Sequence, residues 1–157
     1  MKKIGKFMGT ILGIVKGYRL PGEKEDRLKL MLACNAQLSP IFVLYAQPKQ
    51  TIHRVLSVAV EGMTPFIETE LDNGDEVKLW RVTDPAVIEK VQREMAEQTL
   101  LIADGHHRYE ATLRYRDQLR GERGPGTGNE AYNFILTYFA NINDDNVVIL
   151  PTHRLVR

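Results

Sequence analysis

The stretch LIADGHHRYEA, residues 101–111, sets the reading of the whole chain. Leu101, Ile102 and Ala103 close a short apolar run that begins at Thr99, and TLLIA (99–103) has the length and content of a strand. Asp104 and Gly105 interrupt it, and a helical pattern then runs from Gly105 to about Leu119. The spacing therefore predicts a strand that passes directly into a helix. Half of the chain's four histidines sit at that junction.

Such a junction has a definite chemistry. A helix N-terminus exposes unpaired backbone N–H groups and carries partial positive charge, which attracts anions and phosphate above all. Gly105 lets the backbone approach a ligand closely. Arg108 offers a forked, permanently charged donor that matches phosphate oxygens. His106 and His107 are donors whose charge can change near neutral pH. Asp104 has three readings: a helix cap, a ligand for Mg2+ that bridges phosphates, or a base toward a hydroxyl nucleophile. Against these stands a plain structural reading, in which Asp-Gly is only a cap and a turn. A metal centre on the two histidines is disfavoured, because adjacent helical residues point about 100° apart and zinc sites use other spacings.

Working outward, the apolar positions Leu28, Met31, Leu32 and Ala36 recur at helical spacing after Lys24-Glu25-Asp26-Arg27. A break at Pro21-Gly22 precedes that helix, and Ser39-Pro40 ends it. IFVLYA (41–46) reads as a buried strand. Ile52, Val55, Leu56 and Ala59 mark an amphipathic helix over 51–61. PFIETEL and EVKLWRV flank Asn73-Gly74 and predict a hairpin, since both turn residues tolerate positive φ. Thr83-Asp84-Pro85 caps a helix that runs to about Gln98. NFILTYFANI and NVVILPTHRLV read as two closing strands, and residues 6–15 as a weak first strand. The mixture of βα units with a hairpin predicts an α+β fold with a mixed sheet flanked by helices.

The bulk properties set limits. With 157 residues, one domain over 1–157 is the expectation. A hydrophobic fraction of 43% with 26% charged residues belongs to a globular chain. The formal net charge of +1 gives no global drive toward nucleic acid and argues against its direct binding. A lone cysteine, Cys34, leaves no intrachain disulfide and fits a reducing cytoplasm. No apolar run is long enough to span a bilayer. The abrupt end, VVILPTHRLVR, predicts an excerpt of a longer chain.

Other positions carry weaker signals. His153 and Arg154 follow a strand in PTHR and are candidate ligand contacts, with a surface turn as the alternative. Arg27 stands in a mixed-charge helix start that would ordinarily be a solvated face, yet it could face the anion site. Ser39 reads as a turn residue rather than a nucleophile. Trp80 lies in an alternating strand and reads as core. The loop GERGPGTGNE reads as flexible and lacks the Gly-Lys-Ser/Thr ending of a P-loop.

ADGHHRYEA also resembles the nucleotide-binding turn of the ParB/sulfiredoxin-like superfamily. There a strand leads through an acid- or glycine-containing turn and His-Arg into a helix, and free-serine kinases carry a similar turn. His106 stands where sulfiredoxin has its cysteine, so sulfinic-acid reduction is not implied. More closely, KEDRLKLM, LSPIFVLYAQP, LWRVTDP, LIADGHHRYEAT and VILPTHRLV resemble recurring segments of the family called domain of unknown function 1015, over residues 20–157. The family's Pro-His-Glu-Lys-Thr-like segment is replaced here by Leu20-Pro21-Gly22-Glu23-Lys24, which leaves Glu23 as the candidate for any catalytic glutamate it supplies. The resemblance implies a ParB/sulfiredoxin-like fold that binds a nucleotide (ATP, ADP or CTP, with Mg2+) and acts as a small-molecule phosphotransferase. Arg108, Gly105, His106, His107, His153 and Arg154 would hold phosphates, and Asp104 with Glu23 would carry the chemistry. The alternative is a non-catalytic, nucleotide-gated scaffold of ParB type, with a homo-oligomer compatible with either.

Overall fold

The computed structural model describes residues 2–3, 21–124, 126–145 and 147, with side chains from residue 25 onward. The expected strands over 6–15 and 146–156 lie largely or wholly outside these residues. The described part is α+β, with four α-helices and a mixed sheet. The chain forms two compact units, Met1–Ala46 with Thr99–Arg157, and Gln47–Gln98.

The first unit is built on a three-stranded sheet. Strand β1 (Lys2–Lys3) precedes helix α1 (Pro21–Cys34), and β2 (Ile41–Tyr45) follows it. Strand β2 is the centre of that sheet, antiparallel to the later strand β5 (Leu100–Asp104) and parallel to β7 (Thr137–Asn141). Its apolar run is not uniformly buried. Ile41, Val43 and Tyr45 are buried, whereas Phe42 and Leu44 are half-buried because alternate residues point to opposite faces. Phe42 stacks at 5.4 Å on Tyr138, its partner across the parallel ladder.

Helix α4 (His106–Arg123) packs against α1. Their shared core is Met31, Ala111, Tyr115, Leu119 and Tyr132, with Leu28 and Leu32 at its edge. The expected apolar stripe of α1 thus faces α4, but the helix limits differ. Pro21 and Gly22 lie inside the first turn rather than before it, which suits proline, whose missing N–H is not needed there. The helix ends at Cys34, five residues short of Ser39, where Asn35 turns left-handed and accepts a hydrogen bond from Tyr115 Oη at 3.3 Å. Helix α4 continues through Gly121 to Arg123, so the first part of the glycine-rich segment is helical.

NFILTYFANI is divided. A 3-10 turn (Ala131–Asn133) leads to β6 (Phe134–Ile135), which pairs antiparallel with β1, and β7 begins only after Leu136. The side-chain amide of Gln37 fills the gap: it donates to Phe134 O at 2.6 Å and accepts from Leu136 N–H at 2.5 Å. A side chain thereby replaces one rung of ladder.

The second unit contains α2 (Thr51–Val60), a hairpin of β3 (Ile67–Glu70) and β4 (Glu76–Leu79), and α3 (Pro85–Ala96). Helices α2 and α3 pack together, burying Ile52 and Met95. Gln47 ties the start of α2 to α3: its Oε1 accepts from Ile52 N–H at 2.9 Å and its Nε2 donates to Glu94 at 3.2 Å. Asp84 caps α3 as expected, accepting from Ala86 N–H at 2.8 Å, with Pro85 in the first turn. The hairpin forms as expected, but its turn is longer. Leu71 N–H donates to Asp75 O and Gly74 N–H to Leu71 O, both at 2.9 Å, and Gly74 alone takes positive φ. This is a three-residue turn with a left-handed glycine, not a two-residue turn with both residues at positive φ. Trp80 is half-buried rather than core, its indole N–H donating to Met63 O at 3.1 Å.

Candidate functional site

Strand β5 ends at Asp104, and the chain enters α4 through Gly105, whose φ of 91° is left-handed. Only glycine holds that conformation without strain. The first intrahelical bond runs from Tyr109 N–H to Gly105 O at 2.9 Å, so the amides of residues 106–108 lie ahead of that ladder. Gly105, at the cap position, has no side chain with which to cap the helix.

Asp104 is not a cap. Its carboxylate forms an i,i+4 ion pair with Arg108, one Oδ2 accepting from Nη2. Arg108 Nη1 donates to Ser39 Oγ at 3.1 Å. The two partners differ in setting: the Asp104 side chain is 74% exposed and that of Arg108 only 28%. A Cβ built on Gly105 would lie 2.9 Å from Arg108 Nε and 3.0 Å from both Nη2 and Ile41 Cγ2. The guanidinium is therefore folded back over the turn and wedged toward β2. Thr112, one turn further along α4, is buried and donates to Arg108 O at 2.8 Å.

Arg27, Met31, Gln37, Ser39, Arg108 and Thr112 line one small pocket with apolar neighbours, about 30 Å³ in volume. That space admits water-sized groups and is partly open to solvent. Arg27 has no ion pair or hydrogen bond with any described residue and lies exposed at the edge of this pocket. The pocket brings together Arg108 from the 101–111 stretch, Arg27 from the mixed-charge helix start, and Ser39, which read as a turn residue only. Gln37 and Thr112 carried no sequence signal, because nothing local announces partners 97 and 99 residues from Gln37 or the Met31 sulfur 81 residues from Thr112.

His106 and His107 occupy the first two helical positions and are half-buried. Glu23 lies in the first turn of α1, its side chain outside the described residues. His153 and Arg154 also lie outside them. Among the described residues no group of three or more His, Cys, Asp or Glu could hold a metal ion. No helix among them is long and apolar enough to cross a membrane.

The glycine-rich segment is organised by Glu130. Its Oε1 accepts from the Thr127 N–H at 2.6 Å and hydroxyl at 2.9 Å, and its Oε2 from Gly128 N–H and Asn133 Nδ2, both at 2.8 Å. Donation from its own backbone N–H and from both Thr127 groups holds the carboxyl at about 2. Amides that could cradle an external anion are thus occupied by a carboxylate of the chain.

Taken together, the described residues define an α+β protein with a strand–turn–helix polar site beside a pocket lined by two arginines from different helices. The chain belongs to the protein family of unknown function DUF1015, whose family model matches residues 20–157. No match was found among curated proteins or among solved structures.

Proposed function

We propose that the Asp104–Arg108 turn is the phosphate-binding centre of a ParB/sulfiredoxin-like, nucleotide-dependent phosphotransferase acting on a small molecule in the cytoplasm. One observation carries this reading: Arg27 and Arg108 line the same pocket beside the start of α4. Two guanidiniums on one pocket suit the oxygens of a phosphate. Gly105 would hold the turn that seats Arg108, His106 and His107 would supply further donors, and His153 and Arg154 would extend the phosphate contacts. The phosphate end of ATP, ADP or CTP would enter this pocket, with base and ribose outside it.

Phosphoryl transfer asks mainly for positioning and charge neutralisation. Asp104 would accept the proton of the acceptor hydroxyl or help hold Mg2+, and Glu23 is the second carboxylate candidate. The phosphoryl group then passes to the acceptor oxygen and the shortened nucleotide leaves. A second reading, a nucleotide-gated scaffold without turnover, draws support from the Asp104–Arg108 ion pair, which engages the proposed base. A thermal-shift panel of ATP, ADP and CTP with Mg2+, followed by a transfer assay, separates the two. Binding with transfer that Asp104→Asn abolishes supports the enzyme. Binding without any turnover supports the scaffold, and stabilisation by none of the three nucleotides removes both.

A further inference from the structure

A second, larger pocket of about 470 Å³ lies at the other end of α4 and is open to solvent on one side. Its volume is that of a small-molecule site, about 300–1,000 Å³. Arg123, which lines it, stands about 22 Å along α4 from Arg108, so this pocket is separate from the Arg108 turn. Tyr115, Leu119 and Tyr132 line it and are buried, which makes its floor aromatic and apolar. Asn35, Arg123 and Ala131 line it from exposed positions.

The polar side chains on this pocket are unequally engaged. The acceptors are taken: Glu130 receives four donors from the chain, and Asn35 Oδ1 accepts from Tyr115 Oη. The donors are not. Neither Arg123 nor Asn35 Nδ2 has a hydrogen-bond partner among the described residues. Tyr132 is the decisive group: it is only 8% exposed, yet its hydroxyl has no partner among them either. A tyrosine hydroxyl this deep ordinarily finds one. The charge of Glu130 is offset from behind, since buried Asn133 accepts from Arg120 Nη2 and donates to Glu130 Oε2. Arg123 therefore brings the pocket's remaining charge, a single positive one.

We propose that this pocket is a second ligand site, for a small organic monocarboxylate with an apolar body. The body lies against Tyr115, Leu119 and Tyr132, where burial of apolar surface supplies affinity. The carboxylate accepts from Arg123 and the Tyr132 hydroxyl, with Asn35 Nδ2 as a further donor at the rim. One positive charge matches a carboxylate better than a doubly charged phosphate. The site does not depend on the phosphate reading of the Arg108 turn.

Amide NMR of the isotope-labelled full chain, titrated with 3-phenylpropionate, tests this, with propionate and 3-phenylpropanamide as comparisons. The aromatic acid should give saturable shifts centred on Tyr115, Leu119, Ala131 and Tyr132. It should bind about tenfold or more tighter than propionate, which lacks the ring. It should also bind about threefold or more tighter than the amide, which lacks the charge. Tyr132→Phe keeps the ring and removes the hydroxyl, and Arg123→Gln changes an exposed residue that packs on nothing buried. Each should weaken binding about three- to tenfold, what one hydrogen bond to a charged group contributes. Lys90→Gln removes a charge from the other compact unit and should leave affinity unchanged. Equal binding of acid and amide overturns the carboxylate assignment. Undiminished binding in both Tyr132→Phe and Arg123→Gln overturns the placement, as does an equal loss in Lys90→Gln. No saturable shift with the aromatic acid, or shifts centred elsewhere, overturns the site.

Discussion

The guanidinium of Arg108 lies so close over Gly105 that a single methyl group on the glycine would meet Nε at 2.9 Å. Turn and side chain are thus one unit. The glycine is required twice, for its left-handed φ and for the space that the arginine takes, and the arginine in turn joins the β5–α4 turn to Ser39.

Gly105→Ala should therefore destabilise the protein by about 1–3 kcal/mol, the usual cost of a strained φ at a residue with a side chain. It should also push Arg108 off Ser39, so phosphate affinity should fall along with stability. Urea denaturation and phosphate titration of the same variant check both effects. Unchanged stability would mean that the turn relaxes freely.

Arg108→Ala should lose phosphate or nucleotide affinity by about an order of magnitude or more, since a charge-assisted hydrogen bond is worth roughly 1.5–3 kcal/mol. The same change removes the Ser39 bond, at a stability cost of about 0.5–1.5 kcal/mol. Arg108→Lys should also bind less well, because one ammonium cannot reproduce the fork across Asp104 and Ser39. Binding constants and denaturation midpoints for both variants decide the matter.

Asp84→Ala should cost about 1 kcal/mol of stability by leaving Ala86 N–H without its cap. Its effect on anion binding should be nil, as it lies in the other compact unit. A loss of phosphate affinity in this variant would link the two units energetically.

The Glu130 carboxyl sits below its ordinary value of 4.5, at about 2, because the folded loop donates to its charged form. A group depressed in the folded state contributes stability above its unfolded value, and that contribution disappears as pH falls through the folded one. Melting temperature should thus decline between about pH 4.5 and 2, and Glu130→Gln should flatten that decline. A parallel decline in the variant would assign the acid sensitivity to other groups.

Much of this protein could be read locally. The strand into a helix at 99–123, the cap at Asp84, the hairpin around Gly74 and the apolar stripe of α1 all depend on residues within one or two turns of each other. Side-chain periodicity and backbone preference act over that range, so they appear in the sequence. Element limits shifted where a nearby partner intervened. Asn35 ends α1 early beside Tyr115, and Gln37 splits β6 from β7 by supplying a rung from outside the ladder.

The site shows the same division. Asp104, Gly105, His106, His107 and Arg108 stood out because unusual residues were crowded at a helix start, and their anion chemistry followed from residue type. Only the tertiary structure decided that Arg108 would be held by Ser39 and that Arg27 would join it, since those pairings depend on how α1 packs against α4. It also decided that the glycine-rich loop would close on Glu130 and that Asp104 would take Arg108 rather than cap the helix. A sequence states which groups can donate and accept. Which of them meet depends on the burial of side chains far apart in the chain, and no local pattern encodes that.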